Sequence, residues 1–339
     1  MDDDLLTALV SRQRPVEHES WRTFFNRLVS RKLRRGEAAA VLTSLSTAMP
    51  GEQTLVSMMD CLDERRPAPE IHFPGTVNIV GTGGGPKTFN VSTAAAMVAA
   101  AMGARVVKTG SKGFTSRYGS LDLLGRLGVP LTKSYQETAE SLERFGVAFA
   151  GNFVYPAEIA MLAKEILPLE LRAVGRFVNS IGPFLGSMPV SAQLTGVSDP
   201  AVLPSLRSLA RRLPGRRVWL CHNELGVDEL IGFVPNVIIR ADGEQTLAAG
   251  STGSLTDLTP AVGDPVEQFL GVLAGQVPET ALATVCLNAA ALSVLNGHHA
   301  GWASAVADAR AVLRDGAALD LVNRMRTARA TNLLTVGHG

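Results

Sequence analysis

The stretch from 76 to 108 constrains the fold more than any other part of this chain. Residues 76–80 (Thr-Val-Asn-Ile-Val) form a short apolar run, and 81–86 are Gly-Thr-Gly-Gly-Gly-Pro. Residues 91–102 are rich in alanine, and 104–108 (Ala-Arg-Val-Val-Lys) form a second apolar run. Strand, glycine turn, helix and strand make a βαβ unit, and two strands joined that way lie parallel.

Around this unit, 217–221 and 236–240 read as further strands. Segments 120–127, 265–274, 279–295, 302–313 and 317–327 read as helices. Ahead of it, residues 4–66 read as four helices. Leu5, Leu6, Leu9 and Val10 mark one apolar face, and Trp21, Phe24, Phe25, Leu28 and Val29 the next; 37–47 and 54–62 follow. Arg65-Arg66-Pro67-Ala68-Pro69 is linker-like. With 339 residues, 46% of them hydrophobic, the chain has enough apolar surface for a large core. The expected fold is α/β: a small N-terminal helical domain (1–66, joined by helices from about 157–186) and a larger α/β domain (70–156 and 187–339). The latter has a central, mostly parallel sheet flanked by helices.

Charge narrows the function classes. Thirty-two basic residues nearly cancel 31 acidic ones, leaving +1, so composition forces no basic face for nucleic acid. The cluster Arg31, Lys32, Arg34 and Arg35 fits a solvated helix C-terminus. Cys61, Cys221 and Cys286 have neither metal nor disulfide spacing, and three reduced thiols in a cytoplasmic protein are expected. The start Met-Asp-Asp-Asp is not that of a secretory signal, and no membrane span is expected.

Three segments carry chemistry. Gly81, Thr82, Gly83, Gly84 and Gly85 let the backbone approach a bulky anion. Thr88 and the run Asn90-Val91-Ser92-Thr93 lead straight into a helix, which Asn90 or Ser92 can cap and whose free amides would face that anion. This is a phosphate or pyrophosphate site at a strand-to-helix junction, and it matches neither a Walker A loop nor a dinucleotide fingerprint. The second strand ends in Lys108-Thr109-Gly110-Ser111-Lys112, with Ser116, Arg117, Gly119 and Ser120 beyond. Ligands of parallel sheets sit outside the carboxyl ends of strands, so both loops share one edge, and Lys108 supplies a point charge there. Asp228-Glu229 follows another strand; adjacent loop carboxylates suit magnesium, which uses one or two of them together with substrate phosphates and water. Phosphate loops and a magnesium pair suggest a diphosphate leaving group.

In this order, Gly-Thr-Gly-Gly at 81–84, Thr-Phe-Asn-Val-Ser-Thr at 88–93, Lys-x-Gly at 108–110, Ser-x-x-Gly-Ser-x-Asp-x-Leu at 116–124, Asn-x-x-Gly-Pro at 179–183 and Asp-Glu at 228–229, the chain resembles the anthranilate phosphoribosyltransferase family. The resemblance runs to about residue 327 and is most specific over 80–128. It implies a helical domain hinged to an α/β domain, a homodimer, and transfer of a phosphoribosyl group from phosphoribosyl pyrophosphate to a small aromatic acceptor. It further implies that Gly81, Gly83, Asn90, Ser92, Thr93, Lys108 and Ser120 hold the pyrophosphate and ribose phosphate. Asp228 and Glu229 would hold magnesium, with Ser92 as a further ligand; Thr82, Gly84 and Thr88 complete the expected donor site.

The departures fall in the glycine turn and in the segments that the resemblance implies hold the acceptor. Gly84 is followed by Gly85-Pro86, where the family has Asp-Gly and one residue more. Where it has Lys-His-Gly-Asn-Arg, this chain has Lys108-Thr109-Gly110-Ser111-Lys112. Val154-Tyr155-Pro156 replaces a histidine-containing segment, and Arg176 stands one position closer to Asn179 than the family arginine, with Arg172 as another candidate. Thr109, Ser111, Tyr155, Arg172 and Arg176 are therefore the expected acceptor-side residues of an altered pocket. Two rival readings remain. A pyrimidine nucleoside phosphorylase would depend on free phosphate. A non-catalytic relative that binds nucleotide or nucleic acid would use the basic stretch Arg211, Arg212, Arg216 and Arg217 and show salt-sensitive binding.

Overall fold

The computed structural model describes residues 4–110, 119–260 and 263–336. Helices α1 (Asp4–Ser11), α2 (His18–Val29), α3 (Glu37–Thr47) and α4 (Glu52–Glu64) open the chain. Strand β1 (Phe73–Gly81), α5 (Val91–Ala101), β2 (Arg105–Lys108), α6 (Ser120–Leu127), α7 (Tyr135–Phe145) and β3 (Val147–Phe149) follow. Then come α8 (Ala157–Glu165), α9 (Leu171–Val174), α10 (Arg176–Leu185), β4 (Val190–Gly196) and α11 (Leu203–Arg211). The rest is β5 (Arg217–Asn223), β6 (Asn236–Arg240), β7 (Gly243–Leu247), α12 (Pro265–Leu273), α13 (Glu279–Asn296), α14 (Trp302–Arg314) and α15 (Ala317–Val336).

One compact unit is helical and comprises Met1–Pro69, Val154–Ser187 and Ala201–Pro214. Its centre is aromatic: Trp21 stacks on Phe25 at 5.8 Å, and Phe24 meets Phe25 edge-on at 5.4 Å. The buried Trp21 indole donates to the Thr54 carbonyl, which satisfies the one polar atom that the ring carries inside. Long-range polar contacts tie the later helices in. Ser46 Oγ donates to the Val174 carbonyl at 2.6 Å, and Arg65 Nε to Glu158 Oε1 at 2.7 Å. Arg212 reaches both Asp60 and Asp63 of α4. Residues 201–214 thus sit with the helices, although the sequence left 187–339 in one piece. An amphipathic helix such as α11 reads alike whichever body it packs on.

The other unit comprises Glu70–Phe153, Met188–Pro200 and Gly215–Gly339 and is built on a seven-stranded sheet, order β3-β2-β1-β4-β5-β6-β7. Strands β3 to β5 in that order run parallel, and β6 and β7 are antiparallel. Helix α5 is buried on nearly every side, with Ala94, Ala95, Ala96, Met97, Val98 and Ala99 all at 0% exposure. Its alanines let it pack against α13, itself lined by Cys286, Ala289, Ala290 and Ala291. Helix α13 is long and apolar enough to cross a membrane, yet 72% of it is buried inside the protein, so core packing accounts for its composition. Three expected strands appear as β1, β2 and β5, and β6 matches 236–240. Strands β3, β4 and β7 were not legible. The central β4 carries Gln193 and Thr195 at 0% exposure, so it does not read as an apolar run. Gln193 donates to Thr195 Oγ1 and accepts from Arg216, which satisfies these polar groups internally. All three cysteines are free and buried.

Candidate active site

Register brings the loops together. Gly81, the last residue of β1, pairs with Gly196, the last of β4, and Gly196 pairs with Cys221 near the end of β5. The glycine turn after β1, the segment after β4 and the acidic loop after β5 therefore leave the sheet side by side at its carboxyl edge, where parallel sheets bind ligands. Lys108 closes β2 at the same edge.

Asp228 is wedged between these strand ends. A Cβ on Gly81 would lie 1.9 Å from Asp228 Oδ2, and one on Gly196 would lie 1.7 Å from the Asp228 carbonyl oxygen. Only glycine at both positions leaves room for this backbone and its carboxylate. Gly83, at φ +64°, donates its amide to Asp228 Oδ2 at 2.7 Å. Glu229 accepts from the Thr88 hydroxyl at 3.2 Å. The loop that presents both acids is held by Asn223, whose amide donates to the carbonyls of Val227 and Glu229 and whose oxygen accepts from Leu225 and Val227. Asn288 of α13 completes the anchor through a reciprocal pair with the Leu230 backbone.

Lys108 is 4% exposed, and its ammonium donates to the Ile79 carbonyl at 3.1 Å and to Ser92 Oγ at 3.2 Å. Burial lowers its pKa to about 8, against the pull of Glu229 and Asp228. Burial also raises Asp228, while the Gly83 amide and Lys108 draw it back. Glu229 is raised well above the usual carboxylate range, first by burial and then by Asp228 beside it. Two half-buried acids thus face one buried amine, an arrangement short of positive charge. Among the described residues no three His, Cys, Asp or Glu side chains cluster, so a cation here would rely on this pair, a hydroxyl such as Ser92, substrate oxygens and water. The donors are hard oxygens, and the site fits magnesium.

The other expected residues fall as follows. Asn90 is the N-cap residue of α5, but its side chain makes no capping bond, and Ser92 lies inside the first turn. Thr93 is fully buried, and its hydroxyl has no protein partner. Thr82 is buried in the glycine turn, and Gly84, at φ +86°, is exposed. Ser120 opens α6, so close to Gly110 that a Cβ there would lie 2.5 Å from its hydroxyl. Thr109 is anchored by Asn78. Asn78 donates to its hydroxyl at 2.9 Å and accepts from its amide at 3.0 Å, which locks it into the sheet. Tyr155, half-buried, and Arg176, exposed at the start of α10, belong to the helical unit. Ser111 and the side chain of Arg172 lie outside the described residues.

Two further observations bear on the departures. A Cβ on Gly85 would lie 2.1 Å from the Gly226 carbonyl oxygen, so the position of the missing aspartate has no room for a side chain. The basic stretch is spent internally: Arg211 pairs with Glu52, Arg212 with Asp60 and Asp63, Arg216 with Gln193 and the Met188 carbonyl, and Arg217 with the Asn296 carbonyl. Sequence reading missed Asn223, Asn288, Asn78 and Ser198, all of which shape the site through distant partners.

Comparison with known proteins agrees with this layout. The family model described as glycosyl transferase family, a/b domain, matches residues 74–319. The chain is 31% identical over 332 residues to an anthranilate phosphoribosyltransferase of Methylorubrum extorquens (strain PA1), covering 94% of this chain and 96% of the relative. A second relative of that description, from Hydrogenovibrio crunogenus, is 30% identical over 299 residues, covering 86% and 84%. Among solved structures, the anthranilate phosphoribosyltransferase of Thermus thermophilus superposes with a TM-score of 0.78 at 27% identity, covering 96% of this chain and 99% of that one. The Saccharomyces cerevisiae enzyme in complex with PRPP and Mg superposes at 0.76 with 21% identity, covering 93% and 92%.

Proposed function

The chain belongs to the anthranilate phosphoribosyltransferase family of glycosyl transferases, and from that premise we propose how its residues carry out the transfer. The reaction moves a 5-phosphoribosyl group from phosphoribosyl pyrophosphate to an aromatic acceptor and releases pyrophosphate. The observation that carries the residue assignment is the grouping of buried Lys108 with half-buried Asp228 and Glu229 beside a glycine turn at the sheet's carboxyl edge.

Asp228 and Glu229, with Ser92, would hold magnesium. When bound, the cation supplies charge neutralisation for the departing diphosphate oxygens. Lys108 adds a fixed positive charge on the same side: with a pKa of about 8 it is charged roughly ten to one at pH 7. The Gly84 amide and the first turn of α5 with Ser92 and Thr93 bind and orient phosphate oxygens. As the bond from ribose C1 to the diphosphate oxygen breaks, C1 gains cationic character. The acceptor nitrogen attacks from the opposite face, a C1–N bond forms, and the nitrogen passes its proton to water. A neutral aromatic amine needs little activation, so positioning supplies much of the rate, on the order of 7–11 kcal/mol in favourable cases.

Acceptor recognition is the altered part. Thr109 is anchored by Asn78, from which its hydroxyl accepts, and that bond leaves the hydroxyl hydrogen to be donated to an acceptor. Tyr155, Arg172 and Arg176 are the proposed acceptor-binding residues. A homodimer in the cytoplasm completes the reading, supported by the family; sedimentation checks the first part. The deciding experiment is pyrophosphate release from phosphoribosyl pyrophosphate and magnesium, with and without anthranilate. Anthranilate-dependent release supports the reading with the family's acceptor. Release with another aromatic amine or acid only would reassign the acceptor, and no release with any member of such a panel would overturn the reading.

A further inference from the structure

We infer that Ser198 is a positioning residue for the diphosphate cradle, acting by orienting the peptide bond between Gly83 and Gly84. The inference rests on the proposed donor site and adds to it a residue outside the motifs that define it.

Ser198 lies just beyond the end of β4, and the pairing of Gly81 with Gly196 sets it beside the glycine turn. Its hydroxyl donates to the Gly83 carbonyl, its backbone amide donates to Thr82 Oγ1 at 3.1 Å, and the two hydroxyls lie 3.3 Å apart. The Thr82 amide in turn donates to the Gly196 carbonyl at 2.9 Å. The turn is thus laced to the end of β4, and among the described residues the only bond to the Gly83 carbonyl from within it is a long one from the Thr82 hydroxyl at 3.4 Å. It needs that support, because Gly83 and Gly84 both sit at positive φ, and consecutive glycines have wide conformational freedom.

Peptide geometry gives the bond its consequence. In a trans peptide the carbonyl of one residue and the amide of the next point in opposite directions. With the Gly83 carbonyl fixed on Ser198, the Gly84 amide is held facing away from Ser198. The Gly83 amide, one peptide earlier, is already aimed at the Asp228 carboxylate. A hydroxyl donor at 198 therefore selects one of two orientations of the 83–84 peptide, and this one offers its amide to an anion in the cradle. Packing leaves little slack: Ser198 Cβ is 3.1 Å from the site of a Cβ on Gly85, and Ser198 Oγ is 3.6 Å from that on Gly84.

The test uses the full-length protein and magnesium pyrophosphate as the probe. Binding is measured by titration calorimetry for the wild type, Ser198→Ala, Ser198→Thr and Thr82→Val. The backbone 15N–1H signal of Gly84 is followed in parallel. The expected result is a rise in pyrophosphate Kd of about 10-fold in Ser198→Ala, as for other supporting hydrogen bonds behind a ligand-binding group. The thermal midpoint should be unchanged, Ser198→Thr should recover binding, and Thr82→Val should fall between, since it keeps the bond to the Gly83 carbonyl. The shift of the Gly84 amide on adding pyrophosphate should shrink in Ser198→Ala. With substrate, KM for phosphoribosyl pyrophosphate should rise more than kcat falls. A Kd for Ser198→Ala within twofold of wild type, or a Gly84 shift unaltered by the substitution, would overturn the inference while the functional reading stands. Failure of the wild type itself to bind magnesium pyrophosphate would overturn both.

Discussion

Gly83 donates its backbone amide to Asp228 Oδ2 over 2.7 Å, so a carboxylate of the chain lies in the turn that the sequence marks for phosphate. Asp228 and Glu229 are both half-buried, and both have a raised pKa, chiefly through lost solvation. For a carboxyl group whose folded pKa lies above its unfolded value, the stability it contributes is full below the unfolded value. That stability is lost as pH rises through the folded one. At pH 7 the pair therefore weakens the metal-free fold. Glu229→Gln should raise the thermal midpoint at pH 7, by about 2–4 °C for each kcal/mol relieved, and change it little at pH 4. The double substitution Asp228→Ala with Glu229→Ala should abolish pyrophosphate release while circular dichroism stays native. Full activity in the double variant would remove the pair from the mechanism.

Lys108 gives the opposite sign. Its pKa falls from 10.5 to about 8, so between those values the unfolded chain holds the proton more tightly than the folded one. The cost of burying the ammonium is complete below pH 8 and is relieved as pH rises toward 10.5. Lys108→Met should therefore be more stable than wild type below pH 8, by an amount that shrinks above it. Catalysis should move the other way: kcat/KM for phosphoribosyl pyrophosphate should fall along an alkaline limb centred near pH 8. In Lys108→Met the limb should vanish, on a rate lower by roughly 10²-fold or more. A wild-type profile flat from pH 7 to 9.5 would show that the charge on this amine does not matter to the reaction.

Gly85 stands where the family carries an aspartate, and restoring that residue should not help. Its Cβ would fall 2.1 Å from the Gly226 carbonyl oxygen, a backbone atom that cannot swing aside. Gly85→Ala and Gly85→Asp should both destabilise the protein, by about 1–3 kcal/mol as for other overpacked sites, with the aspartate no better in turnover. Urea unfolding reads the first part and initial rates the second. A Gly85→Asp protein that gains activity would mean that the shortened turn opens readily.

The parts of the site legible in the sequence were those written locally. Gly81 to Gly85 announce a turn, the Ala-rich run after Asn90 announces a helix, and Asp228-Glu229 are adjacent. The parts that escaped depend on partners far along the chain. Ser198 reaches Gly83 across 115 residues, and Asn288 holds Leu230 across 58. Thr109 is expected on the acceptor side because it stands where the family pattern has a histidine. Its capture by Asn78 is a cross-strand event that no local pattern encodes. Strand β4 escaped for a related reason, since its buried Gln193 and Thr195 are satisfied only once Arg216 arrives. The basic stretch behind the nucleic-acid rival is partly matched by acids far along the chain, Arg211 by Glu52 and Arg212 by Asp60 and Asp63.

Thr88 has a more specific role than its place in the glycine-rich segment suggested. Its hydroxyl lies 3.2 Å from Glu229 Oε2 and 3.4 Å from Oε1, and this bond lowers a pKa that burial and Asp228 push up. Removing it should leave Glu229 more readily protonated and less firmly aimed, so a cation would compete against a proton at higher pH. Thr88→Val should weaken magnesium binding by about 10-fold at pH 7, the lower end of the effect of losing a bond behind a metal ligand. The deficit should narrow at pH 8.5, where a proton competes less. Thr88→Ser, which keeps the hydroxyl, should behave as wild type. Magnesium-dependent shifts of the thermal midpoint at the two pH values measure this without turnover. Equal magnesium affinity in Thr88→Val and wild type at both pH values would return Thr88 to the role of a phosphate contact.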